Sequence, residues 1–133
     1  MILDSSAVVA ILRDEPEAAV IAEAMFRART CRISAVNFVE SAVVIDSARD
    51  PIASRRFDDF FREAPIVVEP VTLQQARIAR EAYRDFGKGR HRAGLNFGDC
   101  FAYALAKAAR EPLLFKGDDF RHTDVESAED VGG

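Results

Sequence analysis

An α/β fold with a parallel sheet covered on both faces is what this sequence predicts, and two observations predict it. Short apolar runs alternate with longer segments of helical period, the pattern of strands joined by crossover helices. The size also suits one such unit: 133 residues fit a single domain, and at 49% hydrophobic content a core can form without disulfide staples. No internal repeat, low-complexity tract or interdomain linker interrupts the chain.

Met1-Ile2-Leu3-Asp4 reads as a first strand, and a helical stretch follows Ser5-Ser6 to about Arg13. Glu17 to Arg29 is alanine-rich and helical, Cys31 to Ser34 a second strand. Val36 to Ala48 is a helix with an apolar stripe at Val36, Val39 and Val43. Asp50-Pro51 breaks it, and Ile52 to Arg62 forms another helix carrying Phe57, Phe60 and Phe61. Ile66 to Pro70 is a third strand, stopped by its proline, after which Thr72 caps a helix running to about Phe86. Residues 87–94 form the clearest loop. Asn96 then opens a helix with Phe97, Phe101, Ala104, Leu105 and Ala108 on one face. Pro112 to Phe115 is the last strand, and fraying is expected beyond Val125.

Composition excludes some function classes. A net charge of −4 and a pI near 5.2 argue against a protein that coats nucleic acid, which must neutralise phosphates. They leave room for a nuclease whose acids surround cations, because a bound cation inverts the local field. No apolar run approaches the ~20 residues of a membrane span. The N-terminus lacks a basic start, and its apolar stretch from Ala7 to Leu12 is too short for a signal peptide. A cytoplasmic protein without membrane contact is therefore expected. Cys31 and Cys100 belong to no metal-binding array, and Cys100 reads as a buried, inert thiol.

The informative residues are acids in apolar company. Asp4 ends the first strand, Glu40 lies within Val36 to Ile45 with Val36 and Val43 on its helical face, and Asp99 stands in Leu95 to Ala102. Asp118 and Asp119 follow directly on Leu113 to Gly117. An ionised carboxylate drawn out of water costs on the order of several kcal/mol, and carboxylates brought together repel and raise one another's pKa. A hard divalent cation, Mg²⁺ or Mn²⁺, relieves both penalties. Each acid also has a purely structural reading. Asp99 fits the acidic partner of an Asn96 helix cap, Asp4 an Asx turn, and Asp118 and Asp119 a surface turn.

At these residues the chain resembles the PIN-domain family and, within it, the VapC-type toxins of toxin–antitoxin pairs. The resemblance rests on Met1 to Ala7, Ile33 to Glu40, Gly94 to Ala104 and Leu113 to Phe120, in family order over nearly the whole chain. The segment around Asp99 is the most specific of these. The resemblance implies a three-layer α/β/α PIN-like domain over residues 1–133, acting as a metal-dependent endoribonuclease. It further implies a homodimer silenced by an antitoxin protein. By position, Asp4 and Asp99 would bind Mg²⁺ or Mn²⁺ directly and Glu40 would position metal or attacking water. Ser6 would orient the site, and either Asp118 or Asp119 would be the fourth acid.

Lys88, Arg90 and Arg92 concentrate positive charge near Asp99 and are candidates for the RNA backbone, against an ordinary solvated loop. Two rival readings stand beside the nuclease. One is a non-catalytic PIN-like RNA-binding or interaction module. The other is a phosphoacceptor signalling domain, which would use Lys116 but wants an aspartate where the third strand offers Glu69-Pro70.

Overall fold

The computed structural model describes residues 1–128. Four strands, β1 (Ile2–Leu3), β2 (Cys31–Ser34), β3 (Ile66–Glu69) and β4 (Leu113–Leu114), form one sheet in the order β3-β2-β1-β4. Every pairing is parallel: Leu3 sits opposite Ile33 on one side and Leu114 on the other, and Ile33 opposite Val68. The helices are α1 (Ser5–Leu12), α2 (Ala18–Arg27), α3 (Ala35–Asp46), α4 (Pro51–Glu63), α5 (Leu73–Phe86) and α6 (Phe97–Ala109). A 3₁₀ turn spans Asp119–His122.

Strand alternation separates two cores. Ile2 and Leu113 pack with Ala79, Leu95, Cys100 and Tyr103 beneath α5 and α6. Leu3, Ile33 and Leu114 pack with Ala7, Val8, Ile21 and Ala24 beneath α1 and α2. Successive strand residues thus point to opposite faces, and helices cover both, which is the expected three-layer α/β/α arrangement.

The helices begin where side chains satisfy their free N–H groups. Asp50 accepts from the Ile52 N–H, so Asp50-Pro51 starts α4 as well as ending what precedes it. Thr72 accepts from the Gln75 N–H at the start of α5. The edge of the sheet beyond the expected fraying point is ordered: Leu113 donates to the Glu126 carbonyl at 2.8 Å and accepts from the Ala128 N–H at 2.9 Å. Residues 129–133, the rest of that stretch, lie outside the described residues.

Two expectations about faces need correction. The Val39 and Val43 side of α3 looks like a core stripe, yet these valines are 56% and 61% exposed. The face that α3 buries carries Asn37, Ser41 and Ile45, because it packs on a polar site and not only on a core. Phe97, expected on the buried face of α6, is 73% exposed. In contrast, Phe57 is buried and stacks with Phe38 and Phe61, so α4's phenylalanines mainly fill the protein's own interior.

Parallel strands end at one edge of the sheet, and ligands bind there where the strand order reverses. β1 is flanked by β2 and β4, so that crevice lies beyond the carboxyl ends of β1 and β4.

Candidate active site

Asp4 leaves β1 as the N-cap of α1, with its own N–H donated to the Leu114 carbonyl at 3.0 Å. Its Oδ2 accepts from the Ser6 N–H at 3.0 Å, whereas Oδ1 is buried without a hydrogen-bond partner. Burial, aided by the charge on Glu40, pushes the Asp4 carboxyl above its usual range, against the hydrogen bonds from Ser6 and Ser5. Ser6 also fixes the far side of the crevice, since its hydroxyl accepts from the Lys116 N–H at 2.9 Å.

Asp99 closes a reciprocal cap with Asn96. The Asn96 side chain accepts from the Asp99 N–H at 2.9 Å, and Asp99 Oδ2 accepts from the Asn96 N–H at 3.0 Å. The structural reading of Asp99 is therefore correct, but it occupies only one of the two oxygens. Burial raises the Asp99 pKa to about 7, and Asp4, Glu40 and Asp119 push in the same direction.

Glu40 comes from the middle of α3 and is held by groups on its own face and on α1. The Ser5 hydroxyl donates to Oε1, and the Asn37 amide donates to the same oxygen at 3.4 Å. Asn37 also donates to Ser5 Oγ at 3.2 Å and to the Gly98 carbonyl at 3.0 Å, binding α3, α1 and α6 together. Ser5, Asn37 and Gly98 are site residues that the sequence reading passed over. The signals were present: Asn37 precedes Glu40 by one helical turn, and Gly98 sits in a helix, where glycine is about 1 kcal/mol worse than alanine.

A common pattern emerges. Among the described residues, Asp4, Asp99 and Glu40 each have one oxygen tied by hydrogen bonds and one without a donor. Such a set of hard oxygens, with raised aspartate pKa values, fits a divalent cation in chemistry. No three such ligands among the described residues converge into a ready-made cage.

The adjacent aspartates separate. Asp118 is 72% exposed and faces His122 at 3.0 Å and Arg121 at 3.8 Å. Asp119 is the one whose charge acts on Asp99. Lys116 pairs with Glu15 at 2.9 Å and Glu17 at 3.2 Å, which engages the lysine that a phosphoacceptor site would use. Of the basic loop, Lys88 and Arg92 are exposed, and Arg90 lies over the Tyr83 ring at 5.3 Å. His91 turns inward and accepts from the Ala93 N–H at 3.0 Å. Cys100 is buried and its thiol is pushed up to about 11, in keeping with an inert role.

Comparison with known proteins bears on the family. The family model for the PIN domain matches residues 1–126. The chain is 57% identical over 131 residues to ribonuclease VapC28 of Mycobacterium tuberculosis, covering 98% of each chain. In fold it is similar to the crystal structure of M. tuberculosis VapC20, described as a sarcin–ricin loop cleaving toxin, with a TM-score of 0.74 at 14% identity over 93% of this chain and 95% of that one. It is also similar to a chain of a toxin–antitoxin complex from Klebsiella pneumoniae, with a TM-score of 0.71 at 15% identity over 98% of each.

Proposed function

This chain belongs to the PIN-domain family as a VapC-type member, and from that premise we propose that it is the endoribonuclease toxin of a toxin–antitoxin pair. In this reading it hydrolyses RNA phosphodiesters with Mg²⁺ or Mn²⁺ at the Asp4, Glu40 and Asp99 cluster, in the cytoplasm. The observation that carries the reading is the Oδ1 of Asp4, buried without a hydrogen-bond partner beside the charges of Glu40 and Asp99.

Asp4 and Asp99 would hold the cation. When bound, it supplies positive charge for the phosphate oxygens and favours ionisation of the attacking water. Glu40 is positioned by Ser5 and Asn37 so that its second oxygen can orient that water and accept its proton. Water oxygen then bonds to phosphorus as the bond to the departing ribose oxygen breaks. Asp119, whose charge acts on Asp99, would serve as fourth acid, while Asp118 is engaged by His122 and Arg121. Ser6 acts by orienting Asp4. Lys88, Arg90 and Arg92 would contact the RNA backbone.

Two partners complete the proposal. A second copy of the chain would complete a homodimer, and an antitoxin would silence the site. Among the described residues, no helix is long and apolar enough to cross a membrane. The test is cleavage of cellular RNA by purified protein with Mg²⁺ or Mn²⁺, and its loss in EDTA. Cleavage that persists after exhaustive chelation, with metal shown absent by elemental analysis, would overturn the metal mechanism.

A further inference from the structure

Phe97 is a ridge between the acids and a basic groove. It is the first residue of α6, two positions before Asp99, and its ring is 73% exposed. On one side it borders a hollow shared with Glu40. On the other it borders a groove of about 700 Å³ between α5 and α6. Ala79 and Cys100 lie at the buried floor of that groove, and the exposed Arg80, Arg84 and Arg90 line it. Phe101 backs the Phe97 ring, with centroids 4.9 Å apart, so the ring is braced as well as open.

A cluster of carboxylates in a protein of net charge −4 repels the polyanion it is meant to cut. Binding energy must come from beside the cluster. Single-stranded RNA is held by aromatic faces that stack its bases and by cations that track its backbone. The α5–α6 groove supplies both, next to Glu40. Among the described residues, no ion pair joins Arg80, Arg84 or Arg90 to a carboxylate, and Arg90 rests on the Tyr83 ring, so their charge is available to phosphates. Burying the same surface against another copy of the chain would strip water from three unpaired guanidinium groups, an unfavourable arrangement.

Resting on the nuclease reading above, we propose that this groove is a nucleotide subsite. An unpaired base stacks on Phe97 while Arg80, Arg84 and Arg90 hold the flanking phosphates. The next phosphate is thereby delivered to the acids. Because the base must leave its own stack to reach Phe97, the subsite selects single-stranded or looped RNA over duplex.

The experiment compares wild type, Phe97→Leu and Phe97→Trp by cleavage kinetics on a single-stranded oligoribonucleotide containing a mapped cut site. A series with one abasic nucleotide moved along the strand is measured in parallel, with thermal melting and sedimentation for each protein. Phe97→Leu should raise KM roughly five- to a hundredfold with kcat unchanged, the scale of one lost stack, and Phe97→Trp should restore it. One abasic position should weaken wild type yet leave Phe97→Leu indifferent. An unchanged KM in folded Phe97→Leu overturns the subsite. A raised KM accompanied by dissociation of a dimer also overturns it, and assigns Phe97 to an interface between copies. Wild-type protein that cuts no RNA takes down the nuclease reading and the subsite together, whereas the two earlier outcomes remove the subsite alone.

Discussion

A side chain at Gly98 would occupy the space of the Glu40 carboxylate: a Cβ built there collides with both of its oxygens. The glycine in the first turn of α6 is therefore what lets α3 bring its acid up to Asp99. Gly98→Ala should leave melting little changed, because alanine's gain of about 1 kcal/mol in helix propensity offsets local strain. Cleavage should fall on the order of a hundredfold through displacement of Glu40. Melting and single-turnover kinetics, measured side by side, check this. Undiminished cleavage would show that Glu40's position is not critical.

That relationship marks the border of what the sequence made legible. The four strands and the two-sided parallel sheet follow from runs such as Ile2-Leu3 and Leu113-Leu114, whose burial is readable from apolarity alone, whereas the strand order β3-β2-β1-β4 is not. Asp4 and Asp99 were legible because local chemistry places them, one after a strand and one in a helix cap. The environment of Glu40 was not. Its valine neighbours suggested an apolar face, yet Val39 and Val43 are exposed and the buried neighbours are Asn37 and Ser41. Which polar groups meet across α1, α3 and α6 depends on helix rotation and packing, and periodicity does not resolve that between two plausible faces. The separation of Asp118 from Asp119 was hidden for a similar reason, since it depends on the 3₁₀ turn that begins at Asp119.

The acids themselves give the second prediction. Asp4→Asn, Glu40→Gln and Asp99→Asn should each remove most cleavage, while folding is kept and metal-free stability is unchanged or raised by relief of repulsion. Cleavage rate beside thermal melting decides it. Full activity in folded Asp99→Asn would leave that residue as a helix cap only.

The pKa of Asp99 fixes the sign of a pH effect. Its folded value, about 7, lies above the ordinary 3.8. Between those values the folded protein holds a proton that the unfolded chain has lost, so metal-free stability falls as pH rises through this window. Asp4 acts in the same direction. Mg²⁺ competes with that proton, so its stabilising effect and its support of cleavage should both grow as pH rises toward and past 7. Melting temperatures with and without Mg²⁺ across this range test it, and Asp99→Asn should flatten the difference. A Mg²⁺ shift that is larger at pH 5 than at pH 8 would contradict the assignment.

Asp119 and Asp118 should part company in the same cleavage assay. Asp119 acts on Asp99, and Asp118 faces His122 and Arg121. Asp119→Asn should slow cleavage about tenfold or more, in the range of a displaced catalytic group, and should lower the pKa of Asp99. Asp118→Asn should do neither. The reverse order of effects would exchange their roles.

The last prediction concerns silencing. Phe26 is 90% exposed on α2. It borders a hollow of about 450 Å³ with Ile11, Met25 and Phe60, on the opposite side of the sheet from the α5–α6 groove. An exposed phenylalanine beside an apolar hollow suits the apolar face of a partner's helix, which is where we place the antitoxin. From there a following segment carrying arginine could reach the acids, because a guanidinium pairs with carboxylates where the cation would sit. Expression of wild type alone should arrest growth, and Asp4→Asn should not. Coexpression with the product of the adjacent reading frame should relieve the arrest. Phe26→Asp should keep its ribonuclease activity and yet escape that relief, because it places an uncompensated charge in the hollow. Copurification of the adjacent product with wild type but not with Phe26→Asp is the direct measurement. Equal capture by both would move the antitoxin off this face, and growth unimpaired by accumulated wild-type protein would remove the toxin role while leaving the nuclease in place.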